Sequence, residues 1–261
     1  QGVALTGSEG AGALVAAQAG RALKKSTMEL GGSDAFIVLD DADLDKAVKW
    51  AVFGRHWNGG QVCCSSKRII VHESIHDEFV RRYTEGVAQL KAGDPMEAST
   101  TLAPLSSQQA ADDVRRWIDE AVAHGATATV IGAEVPRQGA FVRPVLLTGV
   151  KPGNPVYHHE FFGPVSMIFK VKDEDEVIRL ANDSPFGLGG SVFTQDIERG
   201  KRVAAQISTG MVYINHPTAV KADLPFGGIR RSGYGRELIG LGLKEFVNHK
   251  LVGVTDIDGA F

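Results

Sequence analysis

Cysteine is nearly missing from this chain: there are two in 261 residues, adjacent at Cys63 and Cys64. Neighbouring cysteines bridge only through a strained ring, so a disulfide framework is excluded and a reducing compartment, the cytoplasm, is expected. Long apolar runs are missing too. None approaches the ~20 residues that span a bilayer, and no charged leader precedes a short apolar stretch, so no membrane partner is expected. Charge of one sign does not accumulate. The net charge is −3, with Lys and Arg interleaved among Asp and Glu, which leaves no electrostatic footprint for nucleic acid. Metal-ligand spacing is also lacking: His158 and His159, ahead of Glu160, point apart on a strand, and no metal is expected.

What is present is glycine, 31 residues of it, and 43% hydrophobic residues, enough to bury a sizeable core in one or two domains. Strand and helix signals alternate. VALTGSEGAG followed by ALVAAQAGRALKK reads as strand, glycine-rich turn and helix. AFIVL (35–39) reads as a strand, and the acidic stretch Asp40 to Asp45 caps a helix from about Leu44 to Trp57. RIIVH (68–72) is a strand and 73–91 a helix, with apolar residues at Ile75, Phe79, Tyr83 and Val87. A polar loop (93–105) leads to a helix over 106–124 and strands at 127–132, 142–147 and 164–171. Helices at 173–182 and 197–207 alternate with strands at 191–194 and 210–215. The alternation implies an α/β fold with a mostly parallel sheet flanked by helices. KLVGVTDI (250–257) reads as a lone terminal strand of the kind that pairs with a neighbouring subunit, so a homo-oligomer, a dimer or tetramer, is expected. The chain opens on Gln1 in mid-strand, from which an upstream part is expected.

Four segments carry candidate chemistry: MELGG (28–32), NGGQVCCSSKR (58–68), EFFGPV (160–165) and LPFGG with SGYGREL (224–228 and 232–238). A thiol can attack a carbonyl carbon and later leave from a thioester, and a carboxylate can serve as base. Cys63 follows Glu29 by 34 positions. In this order and at this spacing, the segments resemble the aldehyde dehydrogenase superfamily, from TGSEGAG to the end of the chain.

The resemblance implies that an aldehyde is oxidised to an acid with NAD or NADP, through a thioester on Cys63. By the same resemblance Glu29 is the general base, and the Leu30 carbonyl lies beside the cofactor. Glu160 would bind the nicotinamide ribose hydroxyls, with Phe162 packed nearby, and Gly7 and Ser8 would hold the pyrophosphate at a helix N-terminus. Cys64 points elsewhere and packs. Trp57 and Phe226 fall on the substrate side. Residues 1–30 would be a remnant of the cofactor domain, 31–232 the catalytic domain, and 233–261 a C-terminal helix and oligomerisation strand. The family's oxyanion asparagine, its ribose-binding lysine and the residues that choose NAD over NADP would lie upstream, so the 261 residues alone are expected to be inactive.

The C-terminal stretch looks closest to bacterial succinate-semialdehyde-type enzymes. Some of these place an arginine six residues before the nucleophile to bind the substrate carboxylate. Trp57 stands there, with Arg55 and His56 nearby, and suits an apolar or aromatic aldehyde at least as well. Two other classes compete: a cysteine-dependent hydrolase, which would want a histidine base, and a non-catalytic homologue that keeps the fold.

Overall fold

A computed structural model describes residues 2–259. The chain begins with β1 (Gly2–Thr6), α1 (Glu9–Arg21) and β2 (Lys25–Glu29), a crossover unit in which β1 and β2 run parallel. Ser8 caps α1 by accepting from the Ala11 amide. The helix stops at Arg21, short of the Lys25 that the sequence suggested, because Leu23 adopts a positive φ and the next five residues join the sheet edge that β1 offers.

The larger sheet follows: β3 (Ala35–Val38), α2 (Leu44–His56), β4 (Arg68–His72), α3 (Glu73–Ala88), α4 (Gln108–Ala123), β5 (Thr127–Val130), β6 (Val145–Thr148), β7 (Val165–Val171), α5 (Glu174–Asn182), the two-residue β8 (Phe186–Gly187), β9 (Gly190–Phe193), α6 (Ile197–Ala204) and β10 (Tyr213–Ile214). Seven strands pair in the order β10-β9-β3-β4-β7-β6-β5, and every neighbouring pair is parallel except β5 with β6. The central strands bury both faces. Phe36, Val38, Ile69 and Val71 pack under α2 and α3, while Ala35, Ile37 and Ile70 pack under α5 and α6. Successive side chains of a strand face opposite ways, so a strand covered on both sides reads as an unbroken apolar run.

The chain ends with β11 (Ile229–Arg230), β12 (Gly233–Tyr234) and α7 (Ile239–Lys244). β12 returns to the first unit and pairs antiparallel with β2, Gly233 opposite Glu29 and Tyr234 opposite Met28.

One strand boundary changes. The strand read over 210–215 shrinks to Tyr213–Ile214, because only those residues find a partner in β9. Residues 250–257, expected to pair with a neighbouring subunit, pair with no strand among the described residues of this chain and lie exposed, with Leu251 and Val254 each 93% accessible. No helix among the described residues is long and apolar enough to cross a membrane.

Candidate active site

The register of the large sheet places Ala35, Arg68, Met167 and Gly190 in one row across β3, β4, β7 and β9. The segments that enter those strands are therefore neighbours: 31–34, 58–67 and 160–164, which overlap three of the motif segments, and 187–189, against which Gly228 of the LPFGG segment packs. The carboxyl end of β2, carrying Glu29, runs directly into them. The site thus lies where the carboxyl end of the small sheet meets the amino ends of the large one.

Missing Cβ atoms let the segments touch. A Cβ on Gly32 would stand 2.6 Å from the Cys63 carbonyl oxygen, and one on Gly31 would collide with Glu160 Oε2. Gly227, in the LPFGG segment, faces Glu29, whose Oε1 would be 2.8 Å from a Cβ there. The Trp57–Gly60 segment is a 3-10 turn with Asn58, Gly59 and Gly60 all at positive φ, and Gly60 lies against the Gly163 carbonyl. A side chain at Gly60 would meet both strain and collision.

Glu29 is 3% exposed, and neither carboxylate oxygen has a hydrogen-bond partner. Burial pushes its carboxyl up to about 8, with the negative charges of Glu237 and Cys63 adding and Arg236 opposing. Cys63 is partly accessible and unbridged. Its thiol is held below the ordinary value, first by a hydrogen bond from the Cys64 thiol and then, against burial, by the positive charge of Lys67. Cys64 is pushed the other way by the same hydrogen bond and by burial, and it packs with Leu188 and Phe226. The pair therefore presents one ionisable thiol supported by one neutral thiol.

Glu160 Oε1 accepts from the Gly32 amide at 3.0 Å and from Lys67 Nζ at 3.0 Å. Phe162 is half exposed beside it, with Lys67 Nζ 5.8 Å from its ring centre. Leu30 is buried and donates its amide to the Ser232 carbonyl. Gly7 donates its amide to the Glu29 carbonyl, which leaves the Ser8 hydroxyl and the first-turn amides of α1 to meet an anion. Trp57 stacks on Phe53 and packs beside Cys63 and Val62 at the margin of the Phe226 cluster. Phe226 itself is buried.

Arg55 and His56 cannot reach a substrate. The Arg55 guanidinium is fully buried and donates to Val165 O, Gly60 O, Ser65 Oγ, Phe161 O and Gly163 O. His56 is buried, held neutral down to about 3 by burial and by Arg55, with Nδ1 3.1 Å from the Val52 carbonyl. His158 pairs with Asp183 while His159 stacks on Trp117, so the two histidines do diverge. Among the described residues no group of His, Cys, Asp and Glu could hold a metal ion.

Three features escape a reading of the sequence. Lys67 is fully buried and donates to the Val62 and Cys63 carbonyls and to Glu160. Asp34 is buried, accepts from the Gly189 amide and the Thr218 hydroxyl, and is raised to about 6 by burial. Arg236 and Glu237 supply the charges felt by Glu29. The one signal in the sequence was position, since Lys67 lies in the same motif as Cys63. A cavity of about 690 Å³ lies elsewhere, against Thr148–Pro152, Tyr157 and α5. Lys170 pairs there with Asp77 and Arg179 with Glu176.

Residues 1–252 match the family described as the aldehyde dehydrogenase family. A succinate-semialdehyde dehydrogenase (NADP+) of Deinococcus radiodurans is 54% identical over 252 residues, 97% of this chain and 53% of that protein. A probable succinate-semialdehyde dehydrogenase (NADP+) of Synechocystis is 45% identical over 96% of this chain and 55% of its own length. The crystal structure of a succinic semialdehyde dehydrogenase from Streptococcus pyogenes with NADP+ superposes with a TM-score of 0.95 at 50% identity, over 98% of this chain and 56% of that one. A salicylaldehyde dehydrogenase from Pseudomonas putida complexed with salicylaldehyde gives 0.93 at 36% identity, over 100% and 54%. The chain spans about half the length of the relatives it matches. With the motif segments gathered where the two sheets meet, the chain belongs to the aldehyde dehydrogenase family.

Proposed function

We propose that the protein carrying this chain oxidises an aldehyde, with succinate semialdehyde first among candidates, to the carboxylic acid with NAD or NADP. The observation that carries this is Glu29: a buried carboxylate without a hydrogen-bond partner, close enough to Cys63 to feel its charge. The names of the relatives support the substrate and the cofactor. A carboxylate on that substrate must find its cation outside residues 55–57, since Arg55 and His56 are buried and engaged.

The residues fit a dinucleotide. Glu160 is anchored through Oε1, which leaves Oε2 to accept ribose hydroxyls. Gly31 and Gly32 keep the floor bare, Phe162 offers an apolar face, the Leu30 carbonyl lies at the floor's start, and Gly7 and Ser8 open α1 toward a pyrophosphate. When bound, the nicotinamide supplies the acceptor for the hydride. Cys63 Sγ attacks the aldehyde carbon, and the carbonyl electron pair moves to oxygen. Loss of hydride from that carbon leaves a thioester on Cys63. Glu29 then takes a proton from water as the water oxygen attacks the thioester carbon, and the Cys63 thiolate departs. Acylation removes the thiolate charge that raises Glu29, so the carboxyl gives up its proton more readily once the thioester exists.

Trp57 and Phe226 would face the substrate, a reading supported by their packing in the cluster that Cys63 also joins. Residues 1–30 would belong to the cofactor domain, 31–232 to the catalytic domain and 233–261 to a C-terminal element whose tail pairs with a second copy. The test is aldehyde-dependent NADPH or NADH formation by the complete protein with succinate semialdehyde. Cys63→Ala should abolish it, and a Cys63→Ala protein that keeps the rate removes the thiol from the reaction.

A further inference from the structure

Lys67 joins both halves of the site. Its ammonium is fully buried and has three N–H bonds, and three acceptors surround it: Val62 O at 2.7 Å, Cys63 O at 2.7 Å and Glu160 Oε1 at 3.0 Å. The two carbonyls belong to the peptides on either side of the Cys63 Cα, so they fix the direction in which its side chain leaves. Glu160 Oε1 also takes the Gly32 amide, and Gly32 lies against the Cys63 carbonyl. Lys67, Cys63, Gly32 and Glu160 therefore form a closed ring of contacts, with Phe162 above the ammonium. Neither half can shift without disturbing the other, because a buried ammonium deprived of one partner has no water to replace it.

We propose that Lys67 is a positioning residue for the dehydrogenase reaction: it fixes the main chain of the nucleophile, supplies the positive field at its sulfur, and holds Glu160 for the ribose hydroxyls. This rests on the function proposed above. The charged and titratable groups facing the sulfur are Cys64 and Lys67 from its own loop, Glu29 from the end of β2, Asp34 from the entry to β3, and Glu160 through Lys67. Lys67 favours the thiolate, and Glu160 offsets that field.

Two substitutions of nearly equal shape then act in opposite directions, which a residue that merely fills space does not explain. The measurement is the pH profile of Cys63 labelling by iodoacetamide, read by peptide mass, in the complete protein. Lys67→Gln should move the midpoint up by about half a pH unit or more, slowing labelling at pH 7 about threefold. Glu160→Gln should move it down and speed labelling. Lys67→Gln should also raise the NADP dissociation constant by about fivefold or more. Midpoints that stay put, or move the same way in both variants, overturn the proposal, as does an unchanged dissociation constant. Should Lys67→Gln fail to fold, Glu160→Gln decides alone: a lower midpoint supports the assignment, and an unchanged or higher one overturns it. Failure of the underlying function is distinct, since it appears in the unsubstituted protein as no aldehyde-dependent turnover.

Discussion

Glu29 and Lys67 are two buried ionisable side chains that differ in how the sequence announces them. Glu29 stands in a glycine motif at a recognisable distance from Cys63, whereas a lysine after two serines reads as a solvated surface residue. Nothing in a linear pattern reports that three acceptors converge on Lys67, because they come from the Cys63 loop and from Glu160. The behaviour of Glu29 with pH follows from its position. Folding keeps its proton up to about 8, whereas the unfolded chain releases it near 4.5. Between those values the folded state binds more protons, so this group's contribution to stability declines as pH rises through that window. Glu29→Gln should therefore melt at a higher temperature than the unsubstituted protein at pH 9, with the difference vanishing near pH 4. In turnover, the unsubstituted enzyme should gain rate toward pH 8 and above. Glu29→Gln should lose that rise and release acid about 10²–10³-fold more slowly, with thioester accumulating in a pre-steady-state trace. A retained rise would assign the titration to another group.

The regular elements were legible where they are long and amphipathic. The helices over 44–56, 73–88 and 108–123 and the apolar strands at 35–38, 68–72 and 165–171 all follow from spacing and caps. The strand Lys25–Glu29 was not, since its order of side chains has no apolar alternation and it forms because β1 and β12 pair with it on either side. β8, β10, β11 and β12 are two residues each, too short for any period to register. The entry loops to β4 and β7 are joined by a residue on a third element, Arg55 in the last turn of α2. Its guanidinium takes carbonyls from both loops, and these would be left buried without a donor if it were removed. Arg55→Leu should cost more than about 3 kcal/mol of stability, read as a lower midpoint in urea at unchanged slope. A loss under about 1 kcal/mol would mean the loops hold themselves.

At the scale of the whole chain, the resemblance to the family was carried by four short segments, and the fold explains why they suffice: they meet where the carboxyl end of the small sheet faces the entry loops of the large one. The tail was legible as apolar and as lacking a strand partner in its own chain. Leu251, Val252, Val254 and Ile257 project with little cover, which a soluble monomer tolerates poorly. Deleting residues 250–259 from the complete protein should lower its mass by light scattering to that of a smaller assembly, and an unchanged mass would assign association to another surface. The pairing of β12 with β2 has a further consequence, in time. Gly233 leaves the ribosome 204 residues after Glu29, its partner in register. At about 5–20 residues per second that interval is roughly 10–40 s. On the proposed function, a growing chain therefore displays the Cys63 sulfur well before the strand that pairs beside Glu29 is made, and an interrupted translation product would hold the proposed nucleophile without the means to release an acyl group.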